Sequence, residues 1–155
     1  MKWDPTVQWV GGLPGSVRLI DQTLLPGIYR RISCRDLPAL WEAIKVLRVR
    51  GAPAIGAAAA VGVVLGIQRT RAKDWKTLKR DLDRVTKYLA SARPTAVNLF
   101  WGIDRMRAFA ESRKALPVPA LLRAMLAEGR AVLEEDRAVC RRMAGHGAKL
   151  IRSGD

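Results

Sequence analysis

Arg50-Gly51-Ala52-Pro53-Ala54-Ile55-Gly56 opens a run that stays almost wholly apolar as far as Ile67. Proline suits the first turn of a helix, where its missing N–H is not needed, so a helix starts here. Gly51 and Ala52 leave backbone amides that a ligand can approach, and Arg50 sets a cation beside them. The helix dipole adds attraction, which makes this an anion seat able to hold a phosphate. A membrane span needs roughly 20 apolar residues, and the run from Ala54 meets Gln68, Arg69 and Arg71 before that length. The stretch is therefore expected to be a helix buried on all sides at the centre of a bundle. Gly56, Gly62 and Gly66 would let neighbouring helices come close.

A second helix start repeats the arrangement. Arg93-Pro94-Thr95-Ala96-Val97-Asn98-Leu99 again sets an arginine beside a proline at the head of an apolar-periodic segment. Read alone, it is a helix N-terminus capped by Thr95, with an arginine in water. Read with the first, it is a second group able to converge on one ligand.

Around these two starts the periodicity changes once. The first thirty-odd residues alternate apolar and polar through Val7, Trp9, Val17, Leu19, Ile28 and Ile32. This pattern predicts a small antiparallel β-meander, with Gly11-Gly12 and Gly15-Ser16 supplying the first turn and Pro26-Gly27 the second. From Asp36 the spacing is helical: Leu37, Leu40, Trp41, Ile44 and Leu47 share one face. Trp75, Leu78, Leu82, Val85 and Leu89 make another such stripe, and Leu99, Ile103, Met106 and Ala110 a third. Pro117 and Pro119 then start a long helix through Leu122, Met125, Val132, Val139, Met143 and Leu150, which Gly145 and Gly147 bend or end near His146. The fold class expected is α+β, with a β-meander subdomain at 1–35 and a helical bundle at 36–155.

Composition fits one compact soluble domain: 155 residues, 49% hydrophobic and 27% charged. The net charge of +14 raises nucleic acid as a partner on electrostatic grounds. Lys73, Lys76, Lys79, Arg80, Arg84 and Lys87 are spread over a helix, however, as on a solvated face, and no nucleic-acid motif accompanies them. Two cysteines far apart, with no secretory leader, indicate free thiols in a reducing compartment, the cytoplasm.

Candidate chemistry outside the two helix starts is thin. His146 has no cysteine or histidine at ligand spacing, so no metal site is expected. Cys140, among Val139 and Met143, reads as a buried small hydrophobe rather than a nucleophile. The exposure of Cys34 is not decided by its surroundings. Asp104, Glu111 and Glu134-Glu135-Asp136 could do acid–base work, but their spacing fixes no pair, and pairing with nearby arginines is the plainer reading.

Asp21-Gln22-Thr23-Leu24-Leu25-Pro26, Val49-Arg50-Gly51-Ala52-Pro53-Ala54-Ile55-Gly56, and Arg93-Pro94-Thr95-Ala96-Val97-Asn98-Leu99-Phe100-Trp101 with Ile103-Asp104-Arg105-Met106 together resemble the methylthioribose-1-phosphate isomerase family of methionine salvage. The resemblance runs from about Thr6 to Asp155. Ribose-1,5-bisphosphate isomerases and regulatory subunits of a eukaryotic translation initiation factor are relatives that share the fold, and Asn98-Leu99-Phe100-Trp101 favours the methylthioribose branch. In the family a second, Rossmann-like domain carries the catalytic cysteine and aspartate. Ser153-Gly154-Asp155 looks like the turn before that domain's first strand, so neither residue is expected in this chain, and Cys34 and Cys140 do not match the cysteine.

The resemblance implies a metal-free and cofactor-free isomerisation of 5-methylthioribose 1-phosphate to 5-methylthioribulose 1-phosphate. It assigns Arg50, Gly51, Ala52 and Arg93 to the substrate phosphate, no catalytic residue to this chain, and a homodimer to the complete enzyme. It also implies that the chain does not turn over substrate alone and that the long helix leaves part of its apolar face uncovered. The alternatives are a ribose-1,5-bisphosphate isomerase-like protein or a basic helical binding or regulatory module.

Overall fold

The computed structural model describes residues 5–152; the Ser153-Gly154-Asp155 turn lies outside them. The chain enters as an antiparallel sheet of β1 (Val7–Gly11), β2 (Gly15–Ile20) and β3 (Arg31–Cys34), in that order. Strand alternation puts Val7, Trp9, Val17, Leu19 and Cys34 on one buried face. Trp9 lies across Gly15, where a Cβ would come 2.5 Å from the indole Nε1. The third strand is shorter than the alternation implied. Ile28 N–H donates to the Leu24 carbonyl at 2.9 Å and closes a local turn, so pairing with β2 begins only at Arg31 opposite Ile20. Ile28 is left 51% exposed in the loop.

Five helices follow. In α1 (Leu37–Lys45) Asp36 caps the start by accepting from Ala39 N–H, and in α3 (Trp75–Ala90) Asp74 does the same for Thr77. Between them α2 (Ala52–Ile67) is the centre of the molecule, with 12 of its 16 residues buried. Its glycines seat neighbours as expected: Gly62 takes Leu40 of α1 and Leu89 of α3, and Gly66 takes Val85 of α3. Each large apolar side chain fully buried in this way contributes about 1.5–3 kcal/mol. The sheet's inner face joins the same core.

The last two helices decide the geometry of the site. In α4 (Val97–Ser112) Gly102 meets the Gly56 carbonyl, and a Cβ at Gly56 would come 2.7 Å from the Asn98 carbonyl oxygen. Residue numbers rise together along this contact, so α2 and α4 run parallel with their N-termini at the same end. In α5 (Val118–Ala148) Gly129 packs on Val61 and Val64, while Leu133 and Asp136 share a groove with Ala57 and Ala54, so α5 runs antiparallel to α2. From Val139 onward α5 leaves the bundle, and Val139, Met143 and Leu150 are uncovered, as the sequence led us to expect.

Candidate functional site at the heads of two parallel helices

At the head of α2, Gly51 is the N-cap with φ +89°, a left-handed conformation in which glycine is unstrained. No atom lies within 4 Å of a Cβ placed there, so backbone conformation, not space, demands glycine. Ala52 is the first helical residue and Pro53 the second. Ile55 N–H donates to the Gly51 carbonyl at 3.0 Å. The earlier amides of Ala52 and Ala54 therefore have no protein acceptor among the described residues and are open to an anion. Arg50, Gly51 and Ala52 are all exposed, and Arg50 has no ion-pair partner among the described residues.

The loop is held from behind by a residue that the sequence reading did not single out. Arg48 Nη1 meets Asp21 Oδ2 at 2.6 Å, while Nε and Nη2 each donate to Glu42 at 2.9 Å. The Arg48 carbonyl accepts from Gln22 N–H at 2.9 Å, and Val49 N–H donates to the Ala43 carbonyl at 3.3 Å. Asp21 is buried, and its other oxygen accepts from the Thr23 hydroxyl at 2.6 Å. Burial works to raise the Asp21 carboxyl, but the Thr23 hydroxyl and the Arg48 guanidinium outweigh it and hold the group below its ordinary value. The hydrogen bonds to Glu42 and Asp21 raise Arg48. The available signal was an acid at the exit of a buried strand and an arginine two residues before the seat.

The head of α4 departs from expectation. Pro94 does not begin the helix, and Thr95 does not cap it: α4 starts at Val97, its N-cap is Ala96, and no side chain caps it. Instead Arg93 and Ala96 close a turn, Ala96 N–H donating to the Arg93 carbonyl at 3.0 Å. The Arg93 side chain is half-buried, and its buried Nε has no hydrogen-bond partner among the described residues. An unmet buried donor on a cation is costly, and an anion would satisfy it. The turn is fixed on α1, since Trp41 Nε1 donates to Ser91 Oγ at 2.9 Å and its ring stacks on Tyr88 at 5.6 Å.

The two heads come to one end of the bundle because of the glycine crossing. At a rise of about 1.5 Å per residue, Ala52 is only about 6 Å along the axis from the contact at Gly56, and Asn98 is the second residue of α4. Two positive helix ends thus face the same way, with Arg50 before one and Arg93 before the other.

Other candidate groups fall elsewhere. Cys140 is exposed, contrary to the expectation of burial, because it sits where α5 has left the bundle. Cys34 is buried, and desolvation followed by the charges of Glu42 and Asp36 pushes its thiol up to about 11. His146 is exposed. Glu134 pairs with Arg137 and Arg141, Glu135 with Arg105, and Glu111 with Lys114. Among the described carboxylates, Asp104 and Asp136 alone have neither a hydrogen bond nor an ion pair in this structure, and burial raises Asp136. Asp136 lines a groove of about 670 Å³ between β1, α2 and α5, which none of Arg50, Gly51, Ala52 and Arg93 lines. Among the described residues no group of acids, histidines and cysteines is placed to hold a metal, and no helix is long and apolar enough to cross a membrane.

Residues 48–155 match the initiation factor 2 subunit family. A 5-deoxyribose 1-phosphate isomerase of Moorella thermoacetica is 44% identical over 141 residues, covering 91% of this chain and 40% of the relative. A methylthioribose-1-phosphate isomerase of Symbiobacterium thermophilum is 43% identical, over 88% of this chain and 38% of the relative. The chain thus spans about two-fifths of the length of these curated relatives. The crystal structure of 5-methylthioribose 1-phosphate isomerase from Pyrococcus horikoshii superposes with a TM-score of 0.79 at 34% identity, covering 86% of this chain and 37% of the other. A structure described as translation initiation factor eIF-2B, subunit delta, from A. fulgidus gives 0.85 at 40% identity, over 97% and 43%.

Proposed function

Because the chain belongs to the initiation factor 2 subunit family, and its isomerase relatives act on sugar 1-phosphates, we propose that it is the phosphate-binding part of an S-methyl-5-thioribose-1-phosphate isomerase acting in methionine salvage. The reading is carried by the parallel packing of α2 and α4, which brings two helix N-termini to one end of the bundle, Arg50 preceding one and Arg93 the other. The amides of Gly51 and Ala52 and the two guanidinium groups would hold the substrate phosphate and orient the sugar.

The isomerisation moves a hydrogen between C2 and C1 of the sugar. It needs an acid and a base, and the carboxylates here are mostly engaged in caps and ion pairs. Proton transfer would then come from residues in the part of the relatives' length that this chain does not span, so the chain alone binds without turnover. A homodimer is the expected state of the complete enzyme, and the cytoplasm its place.

The test titrates 5-methylthioribose 1-phosphate into the chain by calorimetry and assays the same preparation for isomerase activity. Saturable binding without turnover is expected, weakened by about 2–5 kcal/mol in Arg50→Ala and in Arg93→Ala if the phosphate is desolvated. Turnover by the chain, or an affinity indifferent to both arginines, overturns the reading.

A regulatory or binding role is the second reading. It is favoured by the net charge of +14 and by the likeness to the structure described as an initiation-factor subunit. A nucleic-acid affinity that falls steeply with salt would favour it.

A further inference from the structure

The loop that bears Arg50 would have little reason to stay in place by itself. Arg50 and Gly51 are exposed, and Gly51 is the residue type with the widest backbone freedom. A seat made of such residues binds well only if it is held in advance of its ligand. Two residues upstream, every nitrogen of the Arg48 guanidinium is already taken: Nη1 by Asp21, Nε and Nη2 by Glu42. Each Arg48 nitrogen thus faces a carboxylate, which neutralises its charge locally even though one N–H on Nη1 and one on Nη2 remain over, whereas Arg50 has no ion-pair partner among the described residues.

What Arg48 does have is attachment on both sides of the loop's entry. Its side chain ties α1, through Glu42, to the exit of β2, through Asp21. Its carbonyl accepts from Gln22 N–H at 2.9 Å, so main chain and side chain grip the same Asp21–Thr23 turn. Just before it, Leu47 is held at φ +64°, an unfavourable conformation for leucine that persists where the surroundings fix the chain on either side. Just after it, Val49 is fully buried.

We infer that Arg48, held by buried Asp21, is a positioning residue that sets Arg50 and the Gly51 and Ala52 amides in place for the phosphate. This rests on the phosphate reading of the seat given above. Asp21 and Arg48 act as one unit, so removing either loosens the loop by the same amount while its main-chain ties remain.

The experiment measures the dissociation constant of ribose 1-phosphate for the wild-type chain, Arg48→Met, Asp21→Asn and the double variant, with a thermal melt of each. Leu78→Ala, in the core side of α3, serves as a control destabilised without touching the loop. Each single variant is expected to bind about tenfold more weakly, the double variant no more weakly than either, and the control as tightly as wild type. Where Arg48→Met fails to fold, Arg48→Lys with Glu42→Gln gives the same comparison, with an intermediate loss expected. Wild-type affinity in the folded variants overturns the positioning role and leaves the seat intact, as does an equal loss in Leu78→Ala. Absence of binding in the wild type, as well as in every variant, removes the phosphate reading and the inference with it.

Discussion

Gly102 lies against the Gly56 carbonyl so closely that a Cβ at residue 102 would also fall 3.1 Å from the Gly56 carbonyl carbon and 3.3 Å from Ala60 N. Those atoms are backbone and cannot rotate away. Gly102→Ala should therefore push α4 off α2, at an overpacking cost of about 1–3 kcal/mol that exceeds the helix propensity gained from alanine. Urea denaturation checks this, and a wild-type or raised midpoint would show that the crossing has room. Since the crossing also brings the two helix heads together, the same variant should bind sugar phosphate more weakly than its stability alone accounts for.

Gly145 gives the opposite sign. It lies within α5, where the helix has left the bundle, and nothing is within 4 Å of a Cβ built on it. Gly145→Ala removes backbone freedom from the unfolded chain at no steric cost and should stabilise α5 by about 0.5–1 kcal/mol. Circular dichroism at 222 nm during a thermal melt reads it, and a fall in helicity would contradict the exposed-helix geometry.

Asp21 should make the fold acid-sensitive. Its folded carboxyl is held below the ordinary value of 3.8, so the stabilisation it provides is fully present above that pH and is lost as pH falls through the lower folded value. Asp21→Asn leaves Arg48 short of one partner and should cost toward the lower end of about 3–5 kcal/mol at pH 7, because Arg48 keeps Glu42 and some solvent. Between pH 4 and pH 2 the variant should lose less stability than the wild type; parallel curves would show that the pair titrates no differently on folding.

Much of this arrangement was legible from periodicity. The central helix announced itself because a run from Ala54 to Ile67 with no polar face has only one way to avoid water in a chain too short to span a bilayer there. The sheet's inner face followed from alternation at Val7, Trp9, Val17 and Leu19. The errors have local causes. Ile28 fits the strand pattern, yet its N–H is spent on Leu24. Thr95 has the chemistry of a cap, yet Pro94 holds the turn one residue too early for it. Gly102 and Arg48 matter through partners 46 and 27 residues away, Gly56 and Asp21, and single-residue spacing carries no trace of such pairs. Cys140 obeys the apolar spacing of α5, but spacing does not tell where a helix stops having neighbours.

The two thiols should separate cleanly in rate. Cys140 is exposed, whereas Cys34 is buried under the sheet with its thiol pushed up to about 11. A thiol reagent at pH 8 should titrate one group in the folded chain quickly, and Cys140→Ser should abolish that phase. Cys34 should react only as the sheet opens, at a rate that rises with urea. Two fast thiols in the folded chain would mean that β3 does not stay paired.

Arg105 joins α4 to α5 through two acids. Its Nε meets Glu128 at 2.7 Å and its two terminal nitrogens meet Glu135, tying α4 to two turns of α5 while the guanidinium lies over the Trp101 ring at 5.7 Å. The hydrogen bonds to Arg105 hold Glu135 below its ordinary value. Because Glu135 is more than half exposed, most of the benefit comes from the fork geometry and from Glu128, which is 19% exposed. Lysine offers one point charge and cannot bridge both acids, so Arg105→Lys should recover less than half of the about 1–3 kcal/mol lost in Arg105→Ala. Urea midpoints at low and high salt decide it. Full recovery by lysine would reduce the contact to simple charge attraction, and a loss that vanishes in high salt would place it on the solvated surface rather than in the joint between the two helices.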